Sequence, residues 1–147
     1  MFKIIPFESS YRDDMIFCLL SAKDALGRIP RINEDLLDIS KNYFDKGNMF
    51  WLAIDDNNRV VGMLGVNIIS SNEAWLRRLY VKPTLKRNGL GRALLTTAEN
   101  YVRQNGVATL HTRTAADYHE ASKFYPAQGF VEIGNQNGIS HRVKYLT

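Results

Sequence analysis

Basic residues and glycines are concentrated in one short stretch of the chain, Lys86-Arg87-Asn88-Gly89-Leu90-Gly91-Arg92. The residues before it, 76–81, are rich in β-formers, and Pro83 then marks the end of a strand. From Gly89 onward the apolar residues recur at helical spacing, and Gly106 stands where a helix would end. The basic stretch is therefore predicted to join a strand to the start of a helix.

The start of a helix is a favourable place for an anion. Its first four amides have no acceptor within the helix, and the helix dipole is positive there. Gly89 and Gly91 carry no side chain that would keep a ligand away from the backbone, while Lys86, Arg87 and Arg92 add positive charge. This pattern predicts a phosphate or pyrophosphate site. A basic loop before an ordinary surface helix would use the same residue types, so both interpretations stay open at this level.

Two common phosphate-binding motifs do not occur in the chain. The Walker string G-x-x-x-x-G-K-[ST] is absent. The dinucleotide-binding string G-x-G-x-x-G fails at its third glycine, where the chain has Leu94.

With its flanks, the stretch L-Y-V-K-P-x-x-K-R-N-G-L-G-R-A-L-L resembles motif A of the GNAT superfamily of N-acetyltransferases. Lys86 occupies a position where that family prefers Gln or Arg. Further along, A-S-K-F-Y-P-A-Q-G-F at 121–130 resembles motif B of the same family. The two motifs occur in the family's order and at its distance, and the resemblance covers nearly the whole chain.

The resemblance implies an acetyl-CoA-dependent N-acetyltransferase that acts on a primary amine. In the family, loop amides bind the pyrophosphate, and the preceding strand diverges from its parallel neighbour so that the thioester lies in the gap. An amide of this strand is expected to stabilise the oxyanion. The alternative is a non-catalytic module that senses acetyl-CoA and binds a protein partner. The cofactor-binding residues implied here are Leu79, Tyr80, Val81, Lys86, Arg87, Asn88, Gly89, Leu90, Gly91 and Arg92.

Acetyl transfer to an amine needs a neutral amine, a stabilised oxyanion and a proton for the leaving thiolate. The resemblance makes Tyr125 of motif B the proton donor, since the family's tyrosine sits beside the cofactor sulfur. A phenol suits this role because it stays protonated up to about pH 10. A buried aromatic that anchors a short helix is the other interpretation of Tyr125.

The sequence identifies the general base less clearly than the proton donor. Many relatives carry a glutamate where this chain has Trp75. Glu73 lies two residues earlier and would share the same face of a regular strand, so it is the first candidate. A water chain without a dedicated base also stays open, as do His111, Asp117, His119, Glu120 and His141.

The remaining patterns predict an α/β chain with the GNAT fold: a mixed sheet of about seven strands and about four helices. An antiparallel meander precedes a parallel βαβ unit at the cofactor site. The predicted helices include one from Ser9 or Ser10 to about Leu26, a second over Glu34–Lys46 and a short one over Tyr118–Ala127.

Length and composition favour one domain spanning residues 1–147, with 45% hydrophobic and 23% charged residues. The net charge of +4 suits a protein that holds a polyphosphate cofactor, and nucleic-acid binding is disfavoured because no stacking aromatics are interleaved with the basic residues. The single cysteine, Cys18, excludes an intramolecular disulfide, and no metal is expected. We found no secretory signal and no apolar run of about 20 residues, so we expect a cytoplasmic location. We expect the chain to be a monomer or a homodimer. The resemblance implies that its acceptor is a small-molecule or peptide amine.

Overall fold

The computed structural model describes residues 1–85 and 88–146, so Lys86 and Arg87 of the predicted phosphate loop lie outside the described residues. The described part of the chain contains seven strands and four α-helices. Their order is β1 (Phe2–Pro6), α1 (Arg12–Ala25), α2 (Ile39–Asn42), β2 (Met49–Asp55), β3 (Val60–Ile68), β4 (Glu73–Val81), α3 (Leu90–Gln104), β5 (Thr109–Ala115), α4 (His119–Ala127), β6 (Val131–Gln136) and β7 (Ile139–Tyr145).

The strands form one mixed sheet in the order β1-β2-β3-β4-β5-β7-β6. The pairs β1–β2, β2–β3, β5–β7 and β6–β7 are antiparallel, whereas β4 and β5 are parallel. The amides of Lys82 and Ile69 donate to the carbonyls of Val61 and Glu73, so β3 and β4 run in opposite directions. The predicted fold, with its antiparallel meander and parallel βαβ unit, is therefore confirmed.

The chain divides into two compact units. The first unit comprises Met1–Asn67 and Arg77–Ala98, and the second comprises Ile68–Leu76 and Glu99–Thr147. The single domain expected from the sequence stays a prediction.

The first unit is built on a hydrophobic core between α1 and the strands β2 and β3. Met15, Cys18 and Leu19 of α1 are buried against residues such as Phe50 and Met63. Their spacing is that of one helix face, as predicted. Burial raises the pKa of the Cys18 thiol to about 12, so it stays protonated and serves as a core residue.

The second predicted helix, Glu34–Lys46, is wrong as a continuous element. A 3-10 turn at Glu34–Leu37, the single turn of α2 and a second 3-10 turn at Phe44–Lys46 take its place. The break lies at Asp38, whose backbone is extended and whose carboxylate accepts a hydrogen bond from the Lys41 amide. An aspartate that caps the next turn in this way competes with helix propagation. The start of α1 also differs, because Ser9–Tyr11 form a 3-10 turn and no side chain caps the helix.

Two glycines of β3 allow a close approach of neighbouring groups, a common use of glycine within a strand. A Cβ atom on Gly65 would lie 2.6 Å from Phe50 Cδ2 and 2.8 Å from Tyr43 Cε1. A Cβ atom on Gly62 would lie 3.1 Å from Leu94 Cδ1 of α3. Gly62 therefore lets α3 pack closely on β3, and Gly65 makes room for the rings of Phe50 and Tyr43.

We expect Gly65→Ala to destabilise the protein by about 1–3 kcal/mol, because an extra methyl group would overpack two buried rings. The free energy of unfolding, measured by urea denaturation, checks this expectation. The matched control is Gly134→Ala in β6, where an added Cβ meets nothing within 4 Å. Equal stability of the two variants would contradict the overpacking described here.

Candidate active site

The predicted strand-to-helix junction lies in the first unit, at the start of α3. The first backbone hydrogen bond of this helix joins the Ala93 amide to the Gly89 carbonyl at 3.0 Å. The amides of Leu90, Gly91 and Arg92 precede that bond and have no acceptor within the helix. Gly89 has a φ of 77°, and among the described residues a Cβ atom placed on it would meet nothing within 4 Å. The junction thus presents backbone donors at the start of α3.

The Leu90 side chain fixes the position of these donors. It is 1% exposed, and a Cβ atom on Gly62 of β3 would lie 3.4 Å from its Cδ2 atom. Asn88, by contrast, is exposed. Leu90 can therefore contribute to a ligand site through its backbone, while its side chain belongs to the core.

The three β4 residues implied in cofactor binding, Leu79, Tyr80 and Val81, are all partly buried. The following residue, Lys82, donates its amide to the Val61 carbonyl at 2.8 Å and holds the end of the strand against β3. Burial raises the pKa of the Tyr80 phenol, which packs against the core of the first unit. These three residues therefore present their backbone from a well-packed strand end.

One feature of β4 was not predicted: Arg78 has a left-handed backbone, with a φ of 59°. Few residues other than glycine adopt this conformation, and it costs energy unless the surroundings impose it. Here a bidentate ion pair with Asp35 holds the Arg78 side chain. Arg78 Nε and Nη2 donate to the two carboxylate oxygens of Asp35, at 3.2 and 2.9 Å, and the Tyr43 hydroxyl donates to the same carboxylate at 2.6 Å.

The Asp35 carboxylate is stabilised in its charged form. Burial raises the pKa of this group, but the hydrogen bonds from Arg78 and Tyr43 outweigh burial, and the net pKa lies below its ordinary value. The strain at Arg78 is thus accompanied by a charged hydrogen-bond network directly before Leu79. The sequence gives no signal for this network, since its members are 35 or more positions apart or sit in the misassigned helix region.

Tyr125 lies on α4 in the second unit and is 5% exposed. Its ring makes edge contacts with Phe124 and Phe130, at centroid distances of 5.2 and 5.3 Å. Its carbonyl accepts a hydrogen bond from the Phe130 amide at 3.0 Å. These contacts fix the ring's orientation, which both proposed roles of Tyr125 require.

Helix α4 packs against the face of β5 and β7 that carries Thr114 and Arg142. Arg142 is 6% exposed and donates to Thr114 Oγ1 at 2.7 Å and to Ser122 Oγ of α4 at 3.4 Å. Side chains alternate between the faces of a strand, so odd-numbered residues such as His111 and His141 lie on the opposite face.

On that opposite face, Glu73 belongs to a chain of hydrogen bonds across three neighbouring strands. Glu73 Oε1 of β4 lies 3.3 Å from His111 Nε2 of β5. His111 Nδ1 in turn lies 2.9 Å from His141 Nε2 of β7. The structure therefore brings together Glu73 and two of the histidines that the sequence left open.

Trp75 packs on this hydrogen-bond chain. Its ring stacks on His111 at 4.8 Å and on His141 at 5.1 Å, with interplanar angles of 19° and 23°. The Arg113 guanidinium carbon lies 4.7 Å from the centre of the Trp75 ring. Glu73 and Trp75 thus share a face as predicted, and the aromatic ring holds both imidazoles in place.

Among the described residues, no group of three or more His, Cys, Asp or Glu side chains is placed to hold a metal ion. No described helix has both the length and the apolarity that crossing a bilayer requires.

Comparison with known proteins gives a family assignment. Residues 16–130 match the family model of the Acetyltransferase (GNAT) family. Over 100 residues, the chain is 33% identical to the probable N-acetyltransferase camello of Xenopus laevis, a match that covers 66% of this chain and 45% of that protein. The chain spans about half the length of the curated relatives it matches.

Solved structures agree with the fold. An acetyltransferase of the GNAT family from Staphylococcus aureus Mu50 superposes with a TM-score of 0.90 at 24% identity, covering 100% of both chains. The PaiA N-acetyltransferase from Thermoplasma acidophilum, solved in complex with coenzyme A, has a TM-score of 0.82 at 17% identity, with 99% of both chains covered.

The Asp35–Arg78 pair predicts an acid-sensitive contribution to stability. Because the folded-state pKa of Asp35 is lowered, this contribution is present above the unfolded value of about 4 and is lost as pH falls through the folded pKa. We expect Asp35→Asn to lower the free energy of unfolding at pH 7 by about 1–2 kcal/mol, since about a quarter of the side chain is exposed to solvent.

The difference in free energy of unfolding between wild type and Asp35→Asn should shrink progressively as the pH falls below about 4, measured by urea denaturation at each pH. Asp45→Asn is the matched control, because Asp45 is an exposed residue of the neighbouring 3-10 turn. A constant difference across this pH range would show that the Asp35 charge is not the source of the stability.

Proposed function

This chain belongs to the GNAT family of acetyltransferases, and we propose that it transfers an acetyl group from acetyl-CoA to a primary amine. The observation that carries the proposal is the start of α3, where motif A places backbone donors beside Gly89. Such a helix start suits a pyrophosphate, because the amides and the helix dipole both favour negative charge.

The residues present fit the cofactor. Acetyl-CoA, when bound, would supply the activated acetyl group as a thioester. The amides of Leu90, Gly91 and Arg92 would hold its pyrophosphate, with Asn88 and Gly89 forming the approach and Lys86, Arg87 and Arg92 adding positive charge. The backbone of Leu79, Tyr80 and Val81 would bind the arm of the cofactor, and one amide of this strand would stabilise the negative charge that develops on the carbonyl oxygen.

We propose that Tyr125 protonates the leaving thiolate. Its hydroxyl would carry the proton that the sulfur receives when the thioester bond breaks, a role that a phenol can fill at neutral pH. The close packing of Tyr125 by Phe124 and Phe130 supports this assignment, since a proton donor must be held in one orientation.

We propose that the hydrogen-bond chain of Glu73, His111 and His141 carries out the acid–base chemistry at the amine. Its carboxylate is 43% exposed and contacts His111, which contacts His141. A carboxylate paired with imidazoles is a common arrangement for moving a proton near neutral pH. Position 75, where many relatives carry a glutamate, is here a tryptophan that packs on the same imidazoles.

The direct test of the proposed activity is the release of CoA thiol from acetyl-CoA in the presence of a panel of amines. The panel should contain polyamines, amino acids, aminoglycosides, lysine peptides and peptides with a free N-terminus. We expect release that depends on one class of amine, which would also identify the acceptor. Acetyl-CoA binding without release on any amine would favour the non-catalytic sensor instead.

Replacing Tyr125 separates its two interpretations. We expect Tyr125→Phe to lower kcat by about 10- to 100-fold and to leave the Kd for acetyl-CoA within about twofold, because only the hydroxyl group is removed. Phe124→Leu serves as a control for disturbed packing around the ring. An unchanged kcat in Tyr125→Phe would leave the residue as a packing anchor only.

Gly89 can be tested against a glycine of the same conformation. We expect Gly89→Val to weaken acetyl-CoA binding by about 10-fold or more, because a side chain would obstruct the backbone donors and strain a left-handed residue. Gly138→Val introduces the same residue at the same φ of 77°, also in open space, but in the β6–β7 turn. Isothermal titration calorimetry should show weaker binding for the Gly89 variant alone; equal affinities would exclude the proposed pyrophosphate site.

A further inference from the structure

We propose that His141 is the general base of this reaction, accepting the amine proton at Nδ1, and that His111 and Glu73 are positioning residues that set its tautomer. This inference rests on the proposed acetyl transfer to an amine. It moves the proton acceptor from the carboxylate of Glu73 to the far end of the hydrogen-bond chain.

When both imidazoles are neutral, the donors and acceptors of the hydrogen-bond chain allow only one placement of the two ring protons. A carboxylate can only accept, so His111 must carry its proton on Nε2, which faces Glu73. His111 Nδ1 is then an acceptor, and His141 must donate to it from Nε2. The second nitrogen of His141, Nδ1, is left with the lone pair. The tautomers thus follow from the contacts of the two rings.

The lone pair of His141 is not used elsewhere. Among the residues that the structure describes, the hydrogen bonds of His141 are limited to the one through Nε2. The residue is partly exposed, whereas His111, in the middle of the chain, has a side chain only 11% exposed. An incoming group can therefore reach His141, while His111 is enclosed between its two partners and Trp75.

The charges around His141 favour its neutral form. The pKa of His141 lies below its ordinary value, first because burial disfavours the charged ring, and then because His111 and Arg113 oppose a further positive charge. Among the described residues, the charged or titratable groups in contact with this hydrogen-bond chain or with Trp75 are Glu73 on β4 and His111 and Arg113 on β5. Tyr145 lies further along the same face of β7, and the β6 residue opposite His141 is Gly134. His141 is consequently a free base at neutral pH.

The proton transfer balances within this arrangement. As the amine nitrogen forms its bond to the carbonyl carbon, it becomes positively charged and more acidic. An N–H bond of that nitrogen breaks, its electron pair stays on nitrogen, and a new N–H bond forms at His141 Nδ1. The imidazolium then donates through Nε2 to His111, whose Nε2–H donates to the Glu73 carboxylate, so the negative charge of Glu73 stabilises it. The proton leaves from His141 to solvent.

The two faces of the sheet keep this base apart from the acid. Tyr125 lies on α4, which packs on the face of β5 and β7 that carries Arg142, whereas His111 and His141 lie on the other face. In this proposal the acid acts on sulfur and the base acts on nitrogen, two atoms bonded to the same carbonyl carbon.

The test compares pH profiles of kcat/KM for the best acceptor amine, between pH 5 and pH 9, using the full chain. In wild type both the amine and His141 must be deprotonated, so the logarithm should rise with a slope of about two below the pKa of His141 and about one above it. His141→Gln keeps a donor toward His111 but cannot take a proton. We expect it to lose about 100-fold or more in kcat and to keep a slope of about one throughout.

Two further variants distinguish positioning from catalysis. Glu73→Gln keeps the hydrogen bond to His111 but removes the charge, so the steep limb should move to lower pH with a loss of kcat of about 10-fold and little change in KM. Glu8→Gln is the matched control for Glu73→Gln, since it makes the same change at an exposed glutamate outside the hydrogen-bond chain, and it should behave as wild type. Acetyl-CoA binding, measured in every variant, confirms that each is folded.

If the wild-type protein is active and His141→Gln keeps both its rate and the slope of about two in the pH profile, this inference is wrong. The proposed acetyl transfer would then still stand. A wild type that acetylates no amine would overturn both. Long-range 1H–15N NMR spectra give a readout that does not depend on activity. We expect the Nε2–H tautomer for both His111 and His141, and an Nδ1–H tautomer at His141 would overturn the assignment.

Discussion

The register of the sheet is the constraint on which the acid–base part of this structure depends. Trp75 of β4 is level with His111 of the parallel strand β5, and Arg113 of β5 is level with His141 of β7. A shift of one residue in either pairing would send the imidazoles to the face covered by α4. The hydrogen bonds from Glu73 through His111 to His141, and the stacking of Trp75, all follow from this register.

The first unit depends on a different constraint, the close packing of a helix start on a strand. Gly62 lets Leu90 and Leu94 approach β3, and this contact fixes the position of the start of α3. The charged network of Arg78, Asp35 and Tyr43 then fixes the backbone just before Leu79. Close packing and one partly buried ion pair thus position the first amides of α3 and the backbone after Arg78, the groups proposed to bind acetyl-CoA.

Much of this could be predicted from the sequence because it depends on local patterns. Strand and helix periodicity gave the mixed sheet, α1 and α3, and the glycines of the junction followed from motif A. The helix predicted at Glu34–Lys46 was wrong because the capping preference of Asp38 outweighs the apolar spacing around it. The hydrogen-bond chain and the left-handed Arg78 could not be predicted, because both depend on side chains from distant strands and turns. Glu73 was found by its position on a strand face, whereas its link to His111 and His141 required the pairing of β4, β5 and β7.

The central claim, acetyl transfer to an amine, is tested most directly by following an isotope-labelled acetyl group. The protein would be incubated with acetyl-CoA labelled at the carbonyl carbon and an acceptor amine, and the products would be resolved by 13C NMR. If this chain transfers acetyl groups to an amine, the label appears in an amide, in an amount equal to the CoA released. Label that appears as free acetate, or that stays in the thioester with every amine, would contradict it.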